Sequence, residues 1–310
     1  MIAQRGFWAV VVTLLAAGAL VVLGDADDSV SLTAATEAWG DVVHDVDQFG
    51  LSLTRISDAE EIELGKRLAG ELFGGDVADD SRAAYVTSVG RLLQPHLRRR
   101  QVPYTYHVVE WPGVNAMALP GGQVFVTTGM LDMIETEAEL AAILGHEMAH
   151  IDLRHCVELF QVTVQLEKID LGAIGGLVNL LPQLARMGYR KYQEVEADAA
   201  GQRLAIAARY DPRAAVELIR RVAEREWGGL EMTRITARNP LEELLVAAGD
   251  SLGESLASHP DPAERIARLE RLEARRRFWS SAQPFAIGRE NYRRGVTVAA
   301  ETFEGETTME

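Results

Sequence analysis

The chain predicts an α+β fold, mostly helical, with a small antiparallel sheet set beside one central helix. Three observations carry that expectation. An unbroken helical pattern of apolar positions starts behind the capping signal at Thr136 to Glu139 and runs to about Cys156. Further helical stretches cover 58–73, 81–98, 190–200 and 265–277. Only 104–110 and 123–128 have strand character, and Gly121-Gly122 reads as a hairpin turn into the second of them.

Arg5 precedes an apolar run from Phe7 to Leu23, and Asp25, Asp27 and Asp28 follow it at once. A charged start, apolar core and acidic exit describe a secretory signal or a single membrane anchor over 1–26, with cleavage after Ala26 as the preferred form. Membrane association would run through 7–23. Either form places the rest of the chain outside the cytoplasm, in a periplasm or anchored facing one. Residues 27–54 read as a linker and 55–278 as one domain. With 310 residues and 47% hydrophobic content the chain has enough material for a sizeable core. A formal charge of −15 argues against nucleic acid as a partner.

Within the domain, Ser57 caps the first helix and Glu60 completes its box. Thr136-Glu137-Ala138-Glu139 is a second capping box, directly before Leu140, Ile143 and Leu144. The helix it opens carries His146-Glu147-Met148-Ala149-His150. Residues i and i+4 share a helix face, so both imidazoles can reach one ion. Glu147, beside the first histidine, can hold a water bound to that ion. This is the H-E-x-x-H arrangement of zinc proteases. A catalytic zinc needs three protein ligands and an open position for water. The metzincin extension would place glycine and histidine where Leu153 and Cys156 stand, which excludes that class. His155, five residues after His150, points away from the shared face and reads as a supporting histidine. Cys156, the single cysteine, rules out an intrachain disulfide and reads as a small buried apolar residue.

Downstream, Ile169 to Leu184 is apolar and glycine-bearing, is interrupted by Pro182, and reads as core in preference to a lip that touches a membrane or greasy substrates. In the next helical stretch Glu194 and Asp198 lie i,i+4 on one face. A glutamate ligand there is chemically sensible, with Asp198 accepting the free ring N–H of a ligand histidine. Glu196 faces the opposite way and is the weaker candidate. Residues 229–256 read as an amphipathic insertion, a lid. Pro262 opens the last helix of the domain, with Ile266, Leu269 and Leu272 at helical spacing. After Trp279 the pattern fades, so 279–310 reads as a tail, partly disordered, with an acidic end from Glu301.

Four blocks of this chain resemble a known family. They are Asn115 to Gly122 with Val124 to Gly129, Gly145 to His155, Glu194 to Asp198, and Ser258-His259-Pro260 with Glu264-Arg265-Ile266. In order and spacing they are similar to the zinc metallopeptidases that include the CAAX prenyl proteases, the HtpX heat-shock proteases and BepA-like periplasmic proteases. The resemblance spans roughly 55–272 and implies a zincin-like fold with one Zn2+ per chain. It implies His146, His150 and Glu194 as ligands and Glu147 as general base. It also makes Asn115, Ala116, Met117 and Ala118 an edge strand beside the cleft, to which an extended substrate can add. One departure is Tyr189, where the family usually has serine; it is not expected to touch the metal.

Two residues remain with open roles. His259 could approach the zinc as a fourth ligand that holds the enzyme off, or steady the oxyanion; Arg265 could serve the oxyanion instead. The function expected is a zinc-dependent endopeptidase acting on proteins or peptides, misfolded ones included, in extracytoplasmic quality control. Both ligand histidines must be neutral to bind, so activity is expected to fall in acid. The competing expectation is a chaperone-like module that binds unfolded clients in the same cleft without cutting them.

Overall fold

The computed structural model describes residues 56–73, 81–158, 189, 191–227, 262–277 and 284–308. The apolar run 7–23, the linker 27–54, the segments 169–184 and 229–256, and His259 fall outside the described residues. Asp58 and the described residues after it belong to one unit. In chain order its elements are α1 (Asp58–Phe73), α2 (Ser81–Leu93), β1 (Thr105–Val109), β2 (Ala116–Leu119), β3 (Gln123–Thr127), α3 (Thr128–Met133), α4 (Glu137–Asp152), α5 (Lys191–Ala207), α6 (Ala214–Trp227), α7 (Pro262–Arg277) and α8 (Arg289–Arg294). Helix α2 ends earlier than its pattern suggests because Pro95 converts Gln94–His96 into a 3-10 turn. Among the described residues no helix is long and apolar enough to cross a membrane.

The expected α+β class, mostly helical with a small sheet, is what the fold shows. The sheet is mixed, however, where an antiparallel one was expected. Its order is β1-β3-β2, with β2 antiparallel and β1 parallel to β3. The tight turn Pro120–Gly122 makes β2 and β3 neighbours and puts β2 on one edge. The remaining side of β3 is then filled by β1, which reaches it by a crossover and therefore runs parallel. Gly121 sits at φ 73°, and a Cβ there would come within 2.8 Å of the Glu61 carbonyl oxygen of α1. β3 is buried along its whole length, which explains why Val124, Phe125 and Val126 read as a continuous apolar run.

Helix α4 is the centre of the unit. Leu140, Leu144, Met148 and Ile151 form its wholly buried stripe. It packs against α2, α6 and β2, and most extensively against α5. Its N-terminus is capped as the sequence suggests, with the Thr136 hydroxyl accepting from the Glu139 N–H at 3.1 Å. The return bond of the box is shifted by one residue, since the Glu139 carboxylate accepts from the N–H of Glu135 at 2.7 Å. Arg221 of α6 then clamps both Glu139 oxygens at 2.9 Å.

Within the 279–310 tail, residues 284–308 are packed onto the unit. The N–H groups of Glu137 and Ala138 donate to the carbonyls of Gly288 and Ile287, at 3.0 and 3.1 Å. A helix leaves its first-turn donors without partners, and buried donors need acceptors. The tail supplies them. Ala286 also bridges Tyr210 and Thr307, and the buried Glu137 carboxylate accepts from the Tyr85 and Tyr210 hydroxyls and the Val298 N–H. The tail mixes apolar and polar residues without a helical or strand period, so a packing that buries Phe285 and lays Ala286, Tyr292 and Val298 against the core leaves no trace in its pattern.

Candidate metal centre

Helices α4 and α5 cross where Gly145 meets Gly201. A Cβ on Gly201 would lie 2.7 Å from the His146 nitrogen and 2.8 Å from its Cα, so the two backbones approach as only glycine permits. Glu194, Asp198 and Gly201 recur at i, i+4 and i+7 on α5, which turns both carboxylates toward α4.

The crossing brings together His146, His150 and Glu194, with one ligating atom from each lying within 4.8 Å of the others. The two Nε2 atoms are 3.2 Å apart, and each stands 3.5 Å from a Glu194 oxygen. Atoms held at about 2.0–2.1 Å from one tetrahedral ion lie about 3.3 Å from each other, so the donor set and its spacing fit zinc. His150 and Glu194 are buried, whereas the His146 side chain is 20% exposed and marks the open side.

Behind the ligands lies a second tier of contacts. The free Nδ1 of His146 meets the Asp198 carboxylate at 3.2 Å. Arg265 of α7 holds that carboxylate from behind through two bonds, Nε at 2.9 Å and an η-nitrogen at 2.7 Å. The free Nδ1 of His150 meets Nδ1 of His155 at 3.1 Å, and the other ring nitrogen of His155 reaches Glu196 at 3.3 Å. The two ligand histidines are thus each oriented through their second nitrogen.

The electrostatics follow from burial against charge. Burial pushes His146 down, but Asp198 and Glu194 outweigh it and raise the imidazole to about 10. His150 is driven well below the ordinary range by burial, which Glu194 only partly offsets. Burial raises Asp198, yet Arg265 and His146 bring it down to about 2. Glu147 goes the other way: burial lifts it to about 7, with Glu194 adding to the rise and His146, Arg265 and the Ala118 N–H opposing it.

Glu147 faces β2 through that N–H. β2, which begins one residue after Asn115, is an edge of the sheet and packs against α4. Asn115 is 2% exposed, and its side-chain nitrogen has no partner among the described residues. Arg265 lies on Asp198, so its described bonds give it a bracing position. Tyr189 is the residue that sequence reasoning set aside. Its ring stacks on His150 at 3.7 Å between centroids. Its only signal in the sequence is the departure from serine. Gly201 carries no signal in the sequence, since a lone glycine in a helix does not announce a crossing.

Asp198→Ala is expected to weaken zinc affinity about 10–100-fold, because it frees the His146 ring and leaves the half-buried Arg265 without its carboxylate. Competition with a chromophoric chelator measures this; unchanged affinity would show that Asp198 does not orient His146.

The chain matches the model of peptidase family M48 over residues 80–273. It is 32% identical over 164 residues to the mitochondrial metalloendopeptidase OMA1 of Arabidopsis thaliana, covering 51% of this chain and 29% of that protein. It is 33% identical over 196 residues to the Schizosaccharomyces pombe protein of the same name, covering 60% and 51%. The β-barrel assembly-enhancing protease of Escherichia coli is 23% identical over 250 residues, covering 74% and 47%. The chain spans about half or less of the length of these relatives. The H-E-x-x-H helix, the carboxylate helix that crosses it and the edge strand all lie inside the matched region, and the chain belongs to peptidase family M48.

Proposed function

We propose that this protein is a zinc-dependent endopeptidase that hydrolyses peptide bonds of proteins. The observation that carries the reading is the juxtaposition of two imidazoles and a carboxylate at metal-ligand spacing with a buried glutamate beside them. His146, His150 and Glu194 would hold one zinc ion. When bound there, zinc supplies Lewis acidity, polarising a scissile carbonyl and making water acidic enough to be deprotonated near neutral pH.

The chain's own residues do the rest. Glu147, raised to about 7, accepts the proton of the attacking water and returns it to the leaving amine. Asp198 and Arg265 keep the His146 ring in place, and His155 does the same for His150. The edge strand β2 gives an extended peptide backbone partners close to Glu147. Backbone pairing tolerates varied side chains, which suits unfolded or misfolded protein substrates.

A role in extracytoplasmic quality control belongs to the same proposal. It draws on the charged, apolar and acidic order of residues 5–28, and on the E. coli relative named a β-barrel assembly-enhancing protease. The binding-only reading retains the cleft and the edge strand but has no use for a buried carboxylate poised at neutrality.

Casein cleavage by the full chain with zinc bound, its loss on chelation and its return with added zinc is the expected result. Zinc bound without cleavage would favour the client-binding reading; a protein that takes up no zinc would overturn both.

A further inference from the structure

The outward edge of β2 is only partly open, and Tyr189 is what closes it. In an antiparallel pair, residues alternate between exchanging hydrogen bonds with the partner strand and pointing those groups outward. The Thr127 N–H donates to the Asn115 carbonyl at 3.0 Å, which makes position 115 an inward one. With Ala116 opposite Val126 and Ala118 opposite Val124, the backbone groups of Ala116 and Ala118 must point away from β3. Those are the groups a substrate strand could use.

The two positions are not equivalent. The Ala118 N–H faces the Glu147 carboxylate. Its carbonyl accepts from the Tyr189 hydroxyl at 3.5 Å. Cys156 completes the arrangement, its sulfur 3.1 Å from the same hydroxyl oxygen. Burial pushes that thiol up, so it stays protonated and can donate to the tyrosine oxygen, leaving the phenolic hydrogen for Ala118. The ring is fixed by its stack on His150. Among the described residues none fills the outward groups of Ala116. Exposure follows the same division, with Ala116 and Met117 partly exposed and Ala118 and Leu119 buried.

From this geometry we infer that Tyr189 is a specificity-determining residue: it caps the Ala118 carbonyl and ends strand addition at Ala116. Substrates therefore gain backbone pairing only at the Ala116 end of the open edge of β2, and additional length past Ala118 brings no further affinity. This rests on the peptidase reading for its meaning, but its test needs no cleavage.

The probe is a pair of dye-labelled casein peptides, one short (about four residues) and one long (about ten), bound to the zinc-loaded full chain carrying Glu147→Gln. Adding Tyr189→Phe keeps the ring on His150 and removes only the hydroxyl. The expected result, read by fluorescence anisotropy, is affinity for the long peptide rising about five-fold, the worth of one net hydrogen bond, with the short peptide unchanged. Zinc content, the same in both proteins, serves as the check on folding. A change of equal size for both peptides, or no change for either, overturns the proposal. Failure of the peptidase reading would show separately, as zinc-loaded wild-type protein that leaves casein intact.

Discussion

Glu147→Gln lowers casein cleavage by a factor of about 10²–10⁴ while zinc stays bound at an unchanged level. The expectation follows from where the side chain sits. Glu147 is 8% exposed, next to the ligand cluster without belonging to it, and burial raises it to about 7. A carboxyl near neutrality is present in its basic form and can still hand on the proton it takes, which a glutamate at its ordinary value does less well. Glutamine keeps the shape and the acceptor for the Ala118 N–H but cannot accept a proton. The three ligands are untouched, so metal analysis and cleavage separate cleanly. Retained cleavage with zinc in place would remove Glu147 from the mechanism.

The second large effect is on stability. Glu61→Ala is expected to cost about 3–5 kcal/mol, seen calorimetrically as a melting temperature lower by about ten degrees. Glu61 of α1 has no exposed surface. Arg99 grips its two oxygens at 2.6 and 3.2 Å, Arg154 stands 3.3 Å away, and the Gly121 N–H points at it from 3.4 Å. Arg99 also donates to the Ile151 carbonyl in the last turn of α4, at 2.8 Å. Arg154 follows that helix at φ 69°, a left-handed conformation that favours glycine, and its guanidinium is anchored on Asp58 and Glu61.

One carboxylate thus ties α1, the β2–β3 turn and the end of the ligand helix together. Without it two arginines would share Asp58, which is partly open to water. A melting temperature within about a degree of wild type would mean that Asp58 and solvent suffice to satisfy them.

The helix of the H-E-x-x-H motif, its N-terminal cap and the shared face of Glu194 and Asp198 were legible because each is a relation within one or two turns. Spacing along a helix sets which side chains are neighbours whatever else the chain does. The same local logic identified the turn at Gly121 and the strand after it. It could not identify Glu61, since an acidic residue early in an amphipathic helix has the same local pattern whether it is solvated or locked between arginines. Nor could it show that Tyr189 would lie flat on His150 or that Arg265 would brace Asp198. The tail is the plainest case: its irregular sequence carries no period, and it docks through the buried donors at the start of α4 and through Phe285, Tyr292 and Val298.

The sequence alone determined the chemistry available to this protein: which residues could bind a metal, which could move a proton, and that both sit on rigid helices. Tertiary structure decided how they meet. The crossing of α4 and α5 at Gly145 and Gly201, the parallel placement of β1, the partly closed edge of β2 and the docking of the tail all join residues far apart in the chain. Such contacts depend on which buried surfaces and unpaired backbone groups find each other, and no local pattern encodes that choice.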